Sequence, residues 1–234
     1  MRSLLSLFLS FSIFIFAGSL IAENKPAVPA STDFERSFSF GHVGADFTIF
    51  HNFRLVNSTG QPFRILKAVS SCDCSAVLAL NSEVMPDDTA VFRLSFSTRN
   101  DFGPVSKSVT VTTDHPATPS VAFTYTAVIE QWYNGLKPSS TSLFFLPGKN
   151  SQTIRIPNRE FSSIRASLRE QFDNAFEVTI VKSAASRNEA LELVVSPRAD
   201  LGKGTYLSSF SVLIDKEPTG DPTILTIPVK IVRY

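Results

Sequence analysis

The only two cysteines of the chain, Cys72 and Cys74, stand on either side of a single residue, Asp73. Two sulfurs at that spacing admit three chemistries. They can be a structural pair, as thiols or a tight disulfide; a soft-metal site in which two thiolates hold Cu(I); or a redox-active pair. A bridge over one residue closes a minimal loop, so it removes little entropy from the unfolded chain. In an extended strand the two Cα atoms would lie ~6.6 Å apart, near the upper edge of disulfide geometry. Two ligands fall short of the four that zinc takes. A third donor for a metal could come from His42 or His51, because in a sandwich of antiparallel strands the turn before the second strand shares an end with the close of the third. The simpler reading makes His51 a strand residue and His42 a turn residue. Parity adds a constraint: Phe63 and Ile65 are odd and both cysteines even, so the cysteines face away from the core unless a bulge shifts the register.

Other catalytic patterns are missing from the sequence. It contains no Gly-x-Ser-x-Gly elbow, phosphate loop, His-Glu-x-x-His or dinucleotide fingerprint. Gly202-Lys203-Gly204-Thr205 reads as a hairpin turn, and Asp87, Asp88 and Asp200 as turn residues. None of the three histidines sits beside a Ser or Cys in a nucleophile arrangement. The expectation is a protein that is not an enzyme, with no catalytic and no cofactor-binding residues; Cu(I) at Cys72 and Cys74 is the one alternative. Asn57-Ser58-Thr59 spells a glycosylation acceptor, read here as a chance match.

The elements that must position these residues are strands. Phe is abundant at 21 residues, and hydrophobic residues reach 43% against 18% charged, which suits a packed core and excludes charge-driven disorder. Alternation is clearest in Val91-Phe92-Arg93-Leu94-Ser95-Phe96, where Phe92, Leu94 and Phe96 share a face. Strand-length runs fall at 34–40, 47–56, 62–70, 76–80, 90–97, 106–113 and 120–130. A second set falls at 142–146, 152–157, 163–168, 176–182, 190–196, 205–214 and 223–232. Residues 165–172 could form a helical turn. Residues 131–140 contain the only Trp, an Asn-Gly pair and Pro138, a linker composition, with Trp132 and Tyr133 expected between the two domains. The fold class predicted is all-β: two tandem immunoglobulin-like β-sandwich domains, at 34–130 and 141–234, after an N-terminal signal peptide. Both halves open with an aromatic-rich strand and close with a long one, so the second reads as a diverged copy of the first.

The signal peptide is predicted at residues 1–22. Arg2 is followed by an apolar run from Leu4 to Phe16 and small residues before a cut after Ala22; an uncleaved anchor is the alternative. Residues 23–33 form a Pro/Ala-rich lead-in. Export places the mature protein outside the cytoplasm, periplasmic or secreted. A formal net charge of +1 gives no reason to expect nucleic acid, and a membrane is involved only if the leader stays.

The first half carries an ordered series of motifs: Phe38-Ser39-Phe40-Gly41, Gly44, His51, Phe53, Asn57, Gly60, Pro62-Phe63, Ile65, then Ser71-Cys72-Asp73-Cys74-Ser75 and the stretch Lys107 to Asp114. Over residues 34–130 the series resembles the bacterial domain-of-unknown-function family fifteen-seventy-three, an Ig-like module related to Hydin-type domains. The resemblance implies an exported Ig-like module with no established activity or substrate. Two positions depart from it. Asp73 stands where the family has Gly between its cysteines, and Pro86-Asp87 stands for its proline-glycine turn. Asn57, Gly41, Gly44 and Gly60 read as turn residues; Phe40, Phe53 and Phe63 read as core. The functional expectation is a non-catalytic binding or scaffold protein of the cell envelope, with a protein or envelope component as partner. The alternative is a periplasmic copper or thiol-redox protein acting through Cys72 and Cys74.

Overall fold

A computed structural model describes residues 36–133, 135–218 and 220–234; the leader and lead-in lie outside the described residues. Those residues are all-β, with no helix among them. The first half contains β1 (Ser37–Val43), β2 (Thr48–Val56), β3 (Phe63–Ser70), β4 (Ser75–Ala79), β5 (Glu83–Val84), β6 (Thr89–Ser97), β7 (Gly103–Thr113) and β8 (Ser120–Ile129). The second contains β9 (Leu143–Phe145), β10 (Gln152–Pro157), β11 (Ser163–Gln171), β12 (Phe176–Lys182), β13 (Ala184–Ser186), β14 (Ala190–Pro197), β15 (Gly204–Glu217) and β16 (Thr223–Arg233).

Period-two burial makes two sandwiches. Phe92, Leu94 and Phe96 of β6 are fully buried while Arg93 is exposed. They meet Phe40, Phe53, Phe123 and Tyr125 in one core, where each such ring contributes about 2–3 kcal/mol by area. A separate core gathers Phe145, Ile154, Ile156, Leu193, Phe210 and Ile227. The small sheets are β2-β6-β4 and β10-β14-β12. The large sheet is shared: β13-β11-β15-β16-β1-β8-β7-β3-β5, with β9 beside β16.

Residues 165–172, expected as a helical turn, are extended in β11 through residue 171. The antiparallel ladder to β15 takes up the backbone groups there, with one register shift between Leu168 and Glu170. Strands β5 and β13 were not foreseen, since two or three residues cannot show a period.

The sandwiches are joined through β1, which pairs in parallel with β8 and, at His42, with Leu225 of β16. A bulge between Ser39 and His42 makes this possible. It frees two carbonyls that the second half takes: Arg169 Nη1 donates to the Ser39 carbonyl at 2.7 Å, and Thr226 Oγ1 donates to that of Phe40. Gly41, expected as a turn residue, is instead the joint. Its φ is +65°, and a Cβ there would sit 2.2 Å from the Ile224 carbonyl oxygen. Side chains add to the seam. Phe50 stacks on Phe172 at 4.8 Å, Arg93 lies over the same ring at 5.1 Å, and Arg169 lies over Phe38 at 4.4 Å. Trp132 packs against the second core and faces the His42 ring, while Tyr133 lies under the buried Lys216 ammonium at 4.2 Å.

The second sandwich repeats the first, and over its middle strands the displacement is 101 positions: β12, β14 and β15 begin at Phe176, Ala190 and Gly204, β4, β6 and β7 at Ser75, Thr89 and Gly103. An asparagine corner marks the repeat most sharply. Buried Asn57 donates through Nδ2 to the Gln61 and Val84 carbonyls and accepts from Thr59. Buried Asn158 donates to those of Phe161 and Ala185 and accepts from Phe161 N. Their backbones bond Asp87 and Asp88 in one copy, Asn188 and Glu189 in the other. Asp87 and Asn188, again 101 apart, both hold positive φ, 66° and 68°. Asp87 is where the resembled family has glycine; Asp tolerates that left-handed conformation better than most residues.

Candidate functional site at the Cys72–Cys74 turn

Cys72, Asp73 and Cys74 form the turn between β3 and β4. The Ser75 amide donates to the Cys72 carbonyl at 3.4 Å, and the two sulfurs are joined in a disulfide with Cα atoms 5.2 Å apart. That is shorter than the ~6.6 Å of an extended strand because the chain is turning here. The parity constraint is met by a bulge: β3 shifts register between Ile65 and Lys67, and the inward positions pass from odd (Phe63, Ile65) to even (Ala68). Cys74 packs against the first core on that even parity, and after the turn the inward positions of β4 are odd again, Val77 and Ala79.

A chain of hydroxyls lies beneath the disulfide. The fully buried Tyr125 places its hydroxyl 2.6 Å from Ser75 Oγ and 3.4 Å from Ser70 Oγ. Ser75 Oγ lies 3.6 Å from Cys72 Sγ and 3.7 Å from Cys74 Sγ, and the Cys72 amide donates to Ser70 Oγ. Beside the turn is an open surface depression of about 230 Å³ lined by Thr48, Cys74, Ser75, Ala76, Ser95 and Ser97 among others. Tyr125 carried no sequence signal, being one aromatic among many in its strand; Ser75 stood in the motif beside the cysteines.

His42 and His51, offered as the alternative third donor to a metal, are not grouped with the sulfurs. His51 is buried on β2, its Nδ1 2.8 Å from Glu170 Oε1 and its ring stacked on Phe38 at 3.6 Å. It serves the seam. His42 Nδ1 contacts the Gln131 carbonyl beside Trp132. Both are held by β1 and β2 pairing, away from the β3–β4 turn. Among the described residues no group of three or more His, Cys, Asp or Glu is arranged to hold a metal. In the disulfide state neither Cys72 nor Cys74 offers a thiolate to Cu(I).

The second copy has the same turn without sulfur. Positions 173–175, 101 beyond Cys72–Cys74, are Asp173, Asn174 and Ala175. The turn sits identically on its sheet: Ser97 N donates to the Cys74 carbonyl, and Arg198 N, 101 further on, donates to that of Ala175. It is closed by the Ala175 amide donating to Asp173 Oδ1 at 3.0 Å and by Gln171 Nε2 donating to the Asp173 and Phe176 carbonyls. The neighbouring depression recurs too, about 340 Å³, lined by Glu177, Ser196 and Arg198 where the first has Ala76, Ser95 and Ser97. There Arg198 pairs with Asp200, whose carboxyl is held below the usual range chiefly by the guanidinium hydrogen bond.

Strand order, double core and turn geometry together define a pair of Ig-like β-sandwiches, the first with a disulfide at its β3–β4 turn. Residues 32–128 match the family model described as Protein of unknown function (DUF1573). The match falls on the first sandwich, the stretch whose motif order resembles that family. No curated protein matches the chain. Among solved structures, a protein of unknown function from Porphyromonas gingivalis W83 is 14% identical, with 80% of this chain and 97% of that one covered and a TM-score of 0.33. The secreted serine protease VesC from Vibrio cholerae is 9% identical (80% and 48% covered, TM-score 0.32). The CupB2 chaperone of Pseudomonas aeruginosa is 12% identical (80% and 95% covered, TM-score 0.31). At these TM-scores the likenesses carry no functional weight.

Proposed function

We propose that the protein is a non-catalytic binding or scaffold module of the cell envelope, acting outside the cytoplasm on a protein partner. The observation that carries this reading is the edge at β4. Leu78 on this strand and Leu80 just after it are about half exposed or more (60% and 49%), and among the described residues β4 pairs only with β6. Single exposed apolar side chains are ordinary. Placed along an unpaired strand edge, they are what a partner strand uses, main-chain bonds giving affinity and side chains specificity. The disulfide is chemistry of an oxidising compartment and supports the extracytoplasmic placement, as does the signal-type sequence at residues 1–22.

The test is a photo-crosslinking residue at position 78, with position 207, an exposed leucine on β15, as control. A discrete adduct to one envelope protein from 78 alone, lost in a folded Leu80→Asp background, is expected. No adduct from 78, or the same adducts from both positions, would refute the reading. So would a reproducible turnover abolished by a single-residue change.

A further inference from the structure

We propose that Cys72–Cys74 is a thiol–disulfide exchange site whose substrate is a protein dithiol. The inference stands apart from the binding reading and rests on comparing the two copies within the chain. The β3–β4 turn and the β11–β12 turn occupy matching positions and accept the same backbone bond from their sheets, at the Cys74 and Ala175 carbonyls. One is closed by sulfur, the other by side-chain hydrogen bonds of Asp173 and Gln171. The architecture therefore does not need a covalent link at this place. The link cannot be there for chain entropy either, because the loop it closes holds one residue.

The surroundings suit exchange. Both cysteines are half-buried residues. The adjoining depression is lined by Ala76, serines and Thr48, with Asp73 as its one charged residue, whereas its counterpart has Glu177 and the Arg198–Asp200 ion pair in its lining. An incoming side chain thus meets mostly small neighbours and a single carboxylate beside the sulfur. Ser75 Oγ reaches both sulfurs and is itself bonded to the buried Tyr125 hydroxyl, so a donor is in place for whichever sulfur leaves.

In the first step a substrate thiolate attacks one sulfur. The Cys72–Cys74 bond breaks, a mixed disulfide forms, and the departing sulfur leaves as a thiolate that accepts the Ser75 hydroxyl. In the second step the other substrate thiolate attacks its own partner sulfur in the mixed disulfide. The substrate departs as a disulfide. Two electrons pass to the cysteine pair, and the two substrate protons end on Cys72 and Cys74 as thiols.

The experiment uses the purified protein, a reduced dithiol peptide as probe, and mass spectrometry after alkylation in native buffer. The expected result is one equivalent of peptide oxidised per protein, with the near-ultraviolet circular dichroism unchanged. A Cys72→Asp, Cys74→Ala variant, written after the second copy so that it keeps its turn, is expected to oxidise none. Ser75→Ala is expected to slow exchange about fivefold, the factor for one hydrogen bond, and to move the pH profile of alkylation of the reduced pair upward. Three results would overturn the proposal: a disulfide that resists the dithiol until denaturant is added, reduction that unfolds the protein, or equal peptide oxidation by the cysteine-free variant.

Discussion

Asn57 was singled out as a turn residue and as part of a glycosylation spelling, and its surroundings show why the two exclude each other. Its amide is buried and both of its hydrogens are engaged by carbonyls, so no nitrogen is left for a glycan. Replacing Asn57 or Asn158 by alanine strands two carbonyls at a buried corner, at a cost of about 2–4 kcal/mol each. Urea unfolding of both variants should give similar losses, because the corners are equivalent. Gly41 is the other residue on which the fold turns. Gly41→Ala meets the Ile224 carbonyl and a positive φ together, and is expected to cost about 3 kcal/mol or more in the same measurement. Gly60→Ala, with a positive φ but open space around it, should cost less.

At the scale of elements, the β3 bulge decides what the cysteine turn faces, since one slipped residue exchanges the two sides of a strand. Because the β11–β12 turn holds its shape with an aspartate, the Cys72→Asp, Cys74→Ala variant should melt within a few degrees of the parent, a shift on the order of 1 kcal/mol or less. A fall of about 3 kcal/mol would instead make the disulfide structural. The β13–β14 corner carries an acid dependence. Glu189 is held below the usual carboxylate range by the Ser186 backbone N–H first and by Lys182 second. With a depressed folded pKa, its contribution is present above the unfolded value and lost as pH falls through the folded one. The stability of Glu189→Gln should therefore change less between neutral and acidic pH than that of the parent, as followed by denaturant midpoints.

For the molecule as a whole, the decisive feature is that two cores share one sheet. The β1 bulge hands its free carbonyls to Arg169 and Thr226, and Phe50, Phe172 and Arg93 close the seam. Phe172→Ala removes the stacking and the cation–π contact, at a cost of about 1–2 kcal/mol. Calorimetry should show the cost as two unfolding transitions drawing apart, more than as a uniform drop, because neither core loses a side chain.

Period-two alternation by itself determined the all-β class and most strand positions, since burial on one face is a local property written into every second residue; the family resemblance of the first half came from its ordered motifs. The cysteine pair was legible as a place where chemistry could occur, and its three readings followed from spacing alone. The duplication was visible only as a general likeness, because what the copies share is an asparagine corner and a displacement of 101, while their core side chains differ. Tertiary structure alone decided three things: that Gly41 is a joint, that His51 serves Glu170 and Phe38, and that Tyr125 and Ser75 stand under the sulfurs. Each depends on at least one partner 50 or more positions away: Ile224 for Gly41, Glu170 for His51, Tyr125 for Ser75. A linear pattern records which way a side chain points along its own strand; it does not record what the rest of the chain brings to meet it.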